Sequence, residues 1–325
     1  MRIDMVGGGA IGLLFAARLA AAGAAVTVWT RTESQAAALT AVGISYRDGE
    51  EGSHRFQARV SGRCLTNLTE SLAESERPDE EHWVVLAVKQ SHLNEQLLLR
   101  LERLVSSGTR ILCLQNGVGH IEKLAGAVSG ALLYAGVTTE GAKRFGETGV
   151  IHTGHGQLFW GPMRLNGSES DKKGEKSQNL WIKTLESAGF SATLSNDMNS
   201  RIYEKLLINA VINPLTALYD VTNGELPANP QRKQLMHALY AETVEILTAD
   251  GLVLESDGWQ KVLGVCQATF GNVSSMLADV RAGRVTEIEW INGGVSRIAA
   301  RIGLRSPLND AICTLVSQLQ VNENS

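Results

Sequence analysis

The sequence predicts an α/β protein: an N-terminal Rossmann-type domain with a doubly wound, mainly parallel sheet, followed by an all-helical C-terminal domain. Three observations carry that prediction. The chain opens on a strand, a glycine turn, a helix and a second strand in unbroken succession. Apolar strand-like runs then alternate with helical segments as far as residue 195, as a wound parallel sheet requires. From residue 196 onward every periodic segment has helical spacing, so the domains are set at 1–195 and 196–325. A length of 325 residues suits two such domains.

The opening unit is the most specific. MRIDMV reads as a short strand and is followed at once by Gly7, Gly8, Gly9, Ala10, Ile11 and Gly12, in which Gly7, Gly9 and Gly12 satisfy GxGxxG. Residues 13–22 form an alanine- and leucine-rich helix stopped by Gly23, and residues 25–29 the next strand. In this context the first glycine makes the tight turn and the second lets the backbone approach a pyrophosphate. The third lets helix and strand pack closely, and free N–H groups at the helix start meet the phosphate charge. The apolar run is therefore a nucleotide turn rather than a signal peptide. At the end of the second strand, an NAD site usually carries Asp or Glu for the ribose 2′-OH. Here Thr30, Arg31 and Thr32 stand there, and a guanidinium suits a 2′-phosphate by charge and fork geometry. NADP(H) is favoured; the competing reading of Arg31 is an exposed loop arginine.

Further along, residues 46–65 are polar with short β-like pieces, consistent with a strand pair or excursion inserted into the wound sheet. WVVLAV at 83–88 is apolar throughout, as expected of a central parallel strand, and Lys89 and Gln90 follow at its carboxyl end. Residues 93–104 form an amphipathic helix, and 111–114 a strand that ends in QNGVG. Asn116 thus occupies a second strand end. Singly, Lys89 and Asn116 could each serve a turn; together, above one cofactor, they point to ligand binding. A strand at 132–137 precedes VIHTGHGQLFW at 150–160, read as β-structure closing off the sheet. Its His152 and His155 have no third ligand nearby in sequence and read as ordinary strand or turn histidines, so no metal is expected. SESDKKGEKS at 168–177 reads as a surface loop leading to a helix at 180–188 and a last strand at 191–194. Ser195, Asn196 and Asp197 supply cap-type residues for the helical domain. Its helices fall at 198–212, 232–250, 258–270, 286–302 and 309–322, with Pro214 expected to break or kink the first.

Composition narrows the function classes. A formal net charge of -4 and no Lys/Arg-rich run give no electrostatic footprint for nucleic acid. No apolar run approaches the ~20 residues of a membrane span. The four cysteines are far apart, without CxxC or Cys/His metal spacing, which suits thiols in a reducing cytoplasm.

RIYEKLLINAVIN at 201–213 is apolar nearly all round when placed on a helix, except that Lys205, Asn209 and Asn213 recur every fourth residue as one polar stripe. Such a helix is normally buried, and buried amides and ammonium groups need partners. Two readings stay open at this level. The lysine snorkels beside asparagines bonded within the core, or the stripe lines a cleft and faces a ligand.

GGGAIG at 7–12, VK at 88–89, QNGVG at 115–119, EKLLINAVINPLTAL at 204–218, NGEL at 223–226, NVSSML at 272–277 and TEIEWINGG at 286–294 resemble the ketopantoate reductase (2-dehydropantoate 2-reductase) family, in its order and over almost the whole chain. The resemblance implies an NADPH-dependent reduction of 2-dehydropantoate to (R)-pantoate, towards pantothenate and coenzyme A. It implies Lys205 as the catalytic lysine and general acid, and Asn209, Asn213, Asn223 and Ser275 as substrate-binding residues. Asn116 falls where cofactor and substrate are both touched, and Glu287 beside the nicotinamide ribose, orienting Lys205 or the ribose. Lys89 and Ala142 fall at further cofactor contacts, and Arg31 at the 2′-phosphate. The expected partner is a small-molecule 2-oxo acid, with no nucleic acid or membrane, for a cytoplasmic monomer or homodimer. Two alternatives are a related reductase of another 2-oxo acid or imine, and a non-catalytic NADP(H)-binding regulator; the intact lysine–asparagine stripe argues against the second.

Overall fold

The computed structural model describes residues 1–49, 54–68, 81–128, 130–163, 172–254 and 257–319. The chain divides into two compact units, Met1–Gln115 with His120–Met198, and Asn116–Gly119 with Asn199–Ser325.

The first unit begins β1 (Arg2–Val6), α1 (Ala10–Ala21), β2 (Ala25–Thr30), α2 (Glu33–Val42), β3 (Ile44–Asp48), β4 (His54–Ala58), β5 (Ser61–Cys64) and β6 (His82–Leu86). It continues with α3 (Glu95–Leu104), β7 (Arg110–Cys113), α4 (His120–Ala127), β8 (Leu132–Thr138), β9 (Gly141–Phe145) and β10 (Gly149–Gly154). β11 (Gln157–Pro162), α5 (Lys172–Ser187) and β12 (Ser191–Leu194) complete it. Eight strands form a sheet in the order β12-β11-β8-β7-β6-β1-β2-β5. From β5 to β8 all neighbours are parallel, which is the doubly wound order; β11 then joins β8 antiparallel.

Burial explains the sequence of the central strands. Every residue of β6 is buried, and Trp83 stacks on Trp181 of α5 at 4.4 Å between ring centroids. A carboxylate in β1 looks out of place, yet Asp4 accepts from Trp29 Nε1 at 2.6 Å, Arg2 Nε at 2.9 Å and lies 2.7 Å from His82 Nε2. Burial acts to raise its pKa, but His82, Arg2 and Trp29 outweigh that and hold it below the usual value.

Three expectations need correction here. The polar 46–65 stretch and the 150–160 run do not simply extend the wound sheet. β3 and β4 join β9 and β10 in a separate four-stranded sheet, order β4-β3-β10-β9, while β5 and β11 belong to the wound one. Local pattern cannot reveal this, because β3 pairs in parallel with β10, far along the chain. Residues 172–177 are the start of α5 rather than loop. Ser177 turns inward, fully buried, and its hydroxyl bonds Glu81. Residues 168–171, the rest of that expected loop, lie outside the described residues.

The second unit contains α6 (Met198–Tyr219), α7 (Glu225–Ala228), α8 (Pro230–Ala249), α9 (Gly258–Ala268), α10 (Ser275–Arg281), α11 (Ile288–Arg301) and α12 (Pro307–Gln318). The third correction concerns the end of the first helix: α6 runs on through Pro214 to Tyr219 rather than stopping at residue 212. Pro214 lacks the N–H that would bond the Ala210 carbonyl. That carbonyl instead accepts from Asn292 Nδ2 of α11 at 2.9 Å. Asn292 is completely buried and its Nδ2 also donates to Asn309 Oδ1 at 2.9 Å. Asn309 donates to Glu242 Oε1 and Thr243 Oγ1 of α8, so one polar chain ties four helices together. Around it pack Leu206, Val211, Leu215, Leu239, Ile291 and Val295, all fully or almost fully buried. Among the described residues no helix is long and apolar enough to cross a membrane, and all four cysteines are free thiols.

Candidate active site

In the wound sheet strand addition reverses between β1 and β6, the switch point at which open α/β sheets bind ligands. The glycine turn follows β1 there. Gly7 has φ +120°, in the region that favours glycine, and its N–H donates to the Trp29 carbonyl at 2.9 Å. A Cβ on Gly12 would stand 2.0 Å from the Gly7 carbonyl oxygen, so only glycine lets α1 pack this close. A Cβ on Gly9 would meet nothing within 4 Å, and Gly9 offers no side-chain cap to α1. The turn therefore presents open space in front of first-turn amide groups, which fits a pyrophosphate. Ala10 and Ile11, half-buried, begin α1.

The side chains that hold this turn come from distant parts of the chain. Gln35 of α2 donates through Nε2 to the Gly8 carbonyl at 2.9 Å and to the Glu147 carbonyl at 2.8 Å. Arg144 Nη1 donates to the same Gly8 oxygen at 3.3 Å, so β9, which carries half-buried Ala142, runs beside the turn.

Arg31 is exposed at the end of β2, while Lys89 is half-buried beyond β6. His92 lies near both: burial first, then the Arg31 and Lys89 cations, push its pKa below the usual imidazole value. Three basic groups thus share one region of positive potential. The hydroxyls flanking Arg31 also have local partners. Thr30 Oγ1 donates to the Thr32 carbonyl at 2.7 Å, and Thr32 caps α2 by accepting from Gln35 N.

In the second unit, Lys205, Asn209 and Asn213 all lie on α6, the first two half-buried and Asn213 buried. Burial pushes the Lys205 ammonium down to about 8, against the Glu287 carboxylate, which holds it up. Glu287 is buried at the start of α11, and its Oε2 accepts from Asn116 Nδ2 at 3.0 Å. The turn that carries Asn116 docks on α11: Val118 N donates to the Trp290 carbonyl at 3.1 Å. Gly117, at φ +79°, approaches so closely that a Cβ would lie 2.3 Å from the Trp290 oxygen. The glycines of QNGVG thus bring Asn116 to Glu287, and Glu287 in turn acts on Lys205.

A second group gathers where α6 meets the segment before α10. The Thr216 hydroxyl lies 2.8 Å from the Asn213 carbonyl and 2.7 Å from Ser274 Oγ. Ser274 caps α10 by accepting from Leu277 N at 3.1 Å, which leaves Ser275, the expected site residue, exposed as the first residue of that helix. Asn223 is buried and pairs through its backbone N–H with the Asn272 carbonyl at 3.0 Å. Asn213, Asn223 and Ser275 are joined through one stretch of chain, residues 269–275.

The two histidines set aside from the sequence do have an acidic neighbour from another strand. Ligand atoms of Asp48, His152 and His155 lie within 4.8 Å of one another. Both ring nitrogens of His152 are already engaged, Nδ1 with the Tyr46 hydroxyl at 3.0 Å and Nε2 with Glu140 Oε2 at 2.6 Å. His155 Nε2 pairs with Asp48 Oδ1 at 2.9 Å. The group reads as a hydrogen-bonded clamp on the second sheet.

A family model described as ketopantoate reductase PanE/ApbA matches residues 3–164, and one described as ketopantoate reductase PanE/ApbA C terminal matches residues 197–320. The chain is 35% identical over 325 residues to a 2-dehydropantoate 2-reductase of Bacillus subtilis (strain 168), covering 100% of this chain and 99% of that one. It superposes on the crystal structure of a probable 2-dehydropantoate 2-reductase from Bacillus subtilis with a TM-score of 0.79 at 33% identity, over 98% of this chain and 100% of the other. A D-mandelate dehydrogenase in ternary complex with NADH and anilino(oxo)acetate has a TM-score of 0.83 at 24% identity, over 100% of each chain; that likeness is one of fold.

Proposed function

The chain belongs to the ketopantoate reductase family, and on that footing we propose that it reduces 2-dehydropantoate to (R)-pantoate with NADPH, Lys205 serving as general acid. The observation that carries the reading is the Lys205–Glu287–Asn116 group in the second unit, with an ammonium whose pKa is drawn down towards neutrality. NADPH, when bound, supplies a hydride to the ketone carbon. Lys205 is the chain's answer to the other half of the reaction: its ammonium faces the negative charge that develops on the ketone oxygen and releases one proton to it. Glu287 keeps that ammonium charged until the transfer and, through Asn116, fixes its own carboxylate. Asn209, Asn213, Asn223 and Ser275 hold the remaining polar groups of the substrate, and such orientation accounts for much of the rate. For the cofactor, the glycine turn takes the pyrophosphate and Arg31 the 2′-phosphate, and Lys89, Ala142 and Asn116 lie along further contacts. The product is a step towards pantothenate and coenzyme A, in the cytoplasm.

The direct test is NADPH oxidation, followed by absorbance, with 2-dehydropantoate and a panel of other 2-oxo acids. Turnover should be highest with 2-dehydropantoate; none with that substrate would refute the reading. The same assay has a pH signature. The acid works only when protonated, so activity should persist below the Lys205 pKa and fall as pH rises through about 8. Glu287→Gln removes the charge that raises this pKa, and the fall should then come at lower pH.

The glycines allow fold and binding to be separated. Gly12→Ala forces a methyl into the Gly7 carbonyl and should destabilise the protein by about 1–3 kcal/mol in denaturant unfolding. Gly9→Ala has free room and an extended backbone (φ -81°, ψ -176°), so its stability should be unchanged. Its methyl occupies the space assigned to phosphate, and NADPH titration should show affinity reduced about tenfold. Unchanged affinity would remove the pyrophosphate assignment.

A further inference from the structure

Asn223 is 9% exposed, and its Nδ2 donates to Thr269 Oγ1 at 2.9 Å. The Thr269 hydroxyl donates in turn to the Val265 carbonyl, one helical turn back, at 2.7 Å. A hydroxyl has a single proton, so with that proton on Val265 the Thr269 oxygen can only accept. The Asn223 amide must then offer its NH2 group to Thr269. Turned the other way, it would set two oxygens against each other, or strip the Val265 contact of its proton. The orientation of the amide follows from the network rather than from its shape.

Asn223 Oδ1 is left buried and without a hydrogen-bond partner among the described residues. Its surroundings keep it there. The Asn223 N–H is held by the Asn272 carbonyl and the Gly224 N–H by the Phe270 carbonyl, both at 3.0 Å. A Cβ at Gly224 would lie 2.0 Å from the Phe270 ring, so the segment cannot ride up. A buried amide oxygen lacking a donor is costly, and a ligand that brings one relieves that cost.

We propose that Thr269 is a positioning residue that fixes Asn223 as a hydrogen-bond acceptor towards the substrate, so that the site selects a 2-oxo acid bearing a hydroxyl. The inference rests on the function proposed above. At neutral pH the carboxylate and ketone of 2-dehydropantoate only accept; its terminal hydroxyl is the single donor. That hydroxyl therefore belongs at Asn223, and the carboxylate and ketone go to groups that donate. The orientation of the substrate is set from its far end.

The test compares 2-dehydropantoate with 3,3-dimethyl-2-oxobutanoate, which differs only in lacking the hydroxyl, in steady-state assays with NADPH. Wild type should favour the hydroxylated acid by about tenfold or more in kcat/KM, because the analogue leaves Oδ1 unpaired. Thr269→Val frees the amide to turn and should raise KM for 2-dehydropantoate about tenfold, with kcat and the analogue's kinetics within about twofold. Thr269→Ser keeps the oxygen and should restore wild-type values. Asn223→Ala, which deletes the acceptor, should abolish the preference and decides the matter if Thr269→Val does not fold. Equal losses on both substrates in a folded Thr269→Val, or a preference that survives Asn223→Ala, would overturn the inference. Wild type that reduces both acids equally overturns it alone; wild type that reduces neither overturns the proposed function as well.

Discussion

Lys205→Ala lowers kcat by about a hundredfold or more while NADPH still binds. A hundredfold is about 2.7 kcal/mol of transition-state stabilisation, the scale expected when a positioned cation and its proton are both lost. The environment of the lysine is the reason for the size of the effect. Its ammonium is drawn down to about 8 by burial and held from falling further by Glu287, so near neutral pH it is charged yet ready to give up its proton. Alanine removes the charge, the proton and the partner of Glu287 together. Steady-state kinetics with a separate cofactor titration checks the result. Turnover near that of wild type would end the assignment of Lys205 as acid. Lys205→Arg divides the two roles, because a guanidinium keeps the charge but does not release a proton. It should therefore stay slow and lose the decline above pH 8 that marks the lysine.

Arg31→Ala weakens NADPH by about tenfold or more and leaves NADH within about twofold, since the two cofactors differ only in the 2′-phosphate. Arg31 does not act alone. Lys89 and His92 stand within electrostatic reach of it: after burial, the Arg31 and Lys89 cations both act to lower the His92 pKa. Exposed charges of this kind are screened by salt, so added salt should also weaken NADPH more than NADH. Dissociation constants from fluorescence titration of both cofactors, at two salt concentrations, give the answer. Equal losses for NADPH and NADH would remove the 2′-phosphate argument.

What the sequence revealed and what it hid divide along a physical line. Gly7, Gly9 and Gly12 were legible as spacing: Gly7 and Gly12 each answer a local steric demand, while Gly9 leaves open space at the start of α1. Lys205, Asn209 and Asn213 were legible as a stripe because helical period alone puts them on one face. Their surroundings were not. Gln35 reaches the glycine turn from 27 positions away, and Asn223 meets Thr269 from 46 positions away. Nothing in local composition marks such contacts. The short helices α7 and α10 escaped notice because four and seven residues are too few to show a period, although Ser274 stands before α10 as an ordinary cap. The second sheet was hidden for a similar reason: β3 and β10 are ordinary strands, and only their pairing is unusual.

The amide of Asn292, placed where Pro214 has no N–H, bears on how the second unit comes together. An isolated peptide with the α6 sequence has only water to offer the Ala210 carbonyl, and its helix is weakened at that point. The continuous helix is completed by a group that arrives from 82 positions further on. The stability of α6 at this turn is therefore coupled to the docking of α11 against it. The stripe of Lys205, Asn209 and Asn213 sits on the turns just before the proline, so partial unfolding of α11 removes support from the helix that displays it.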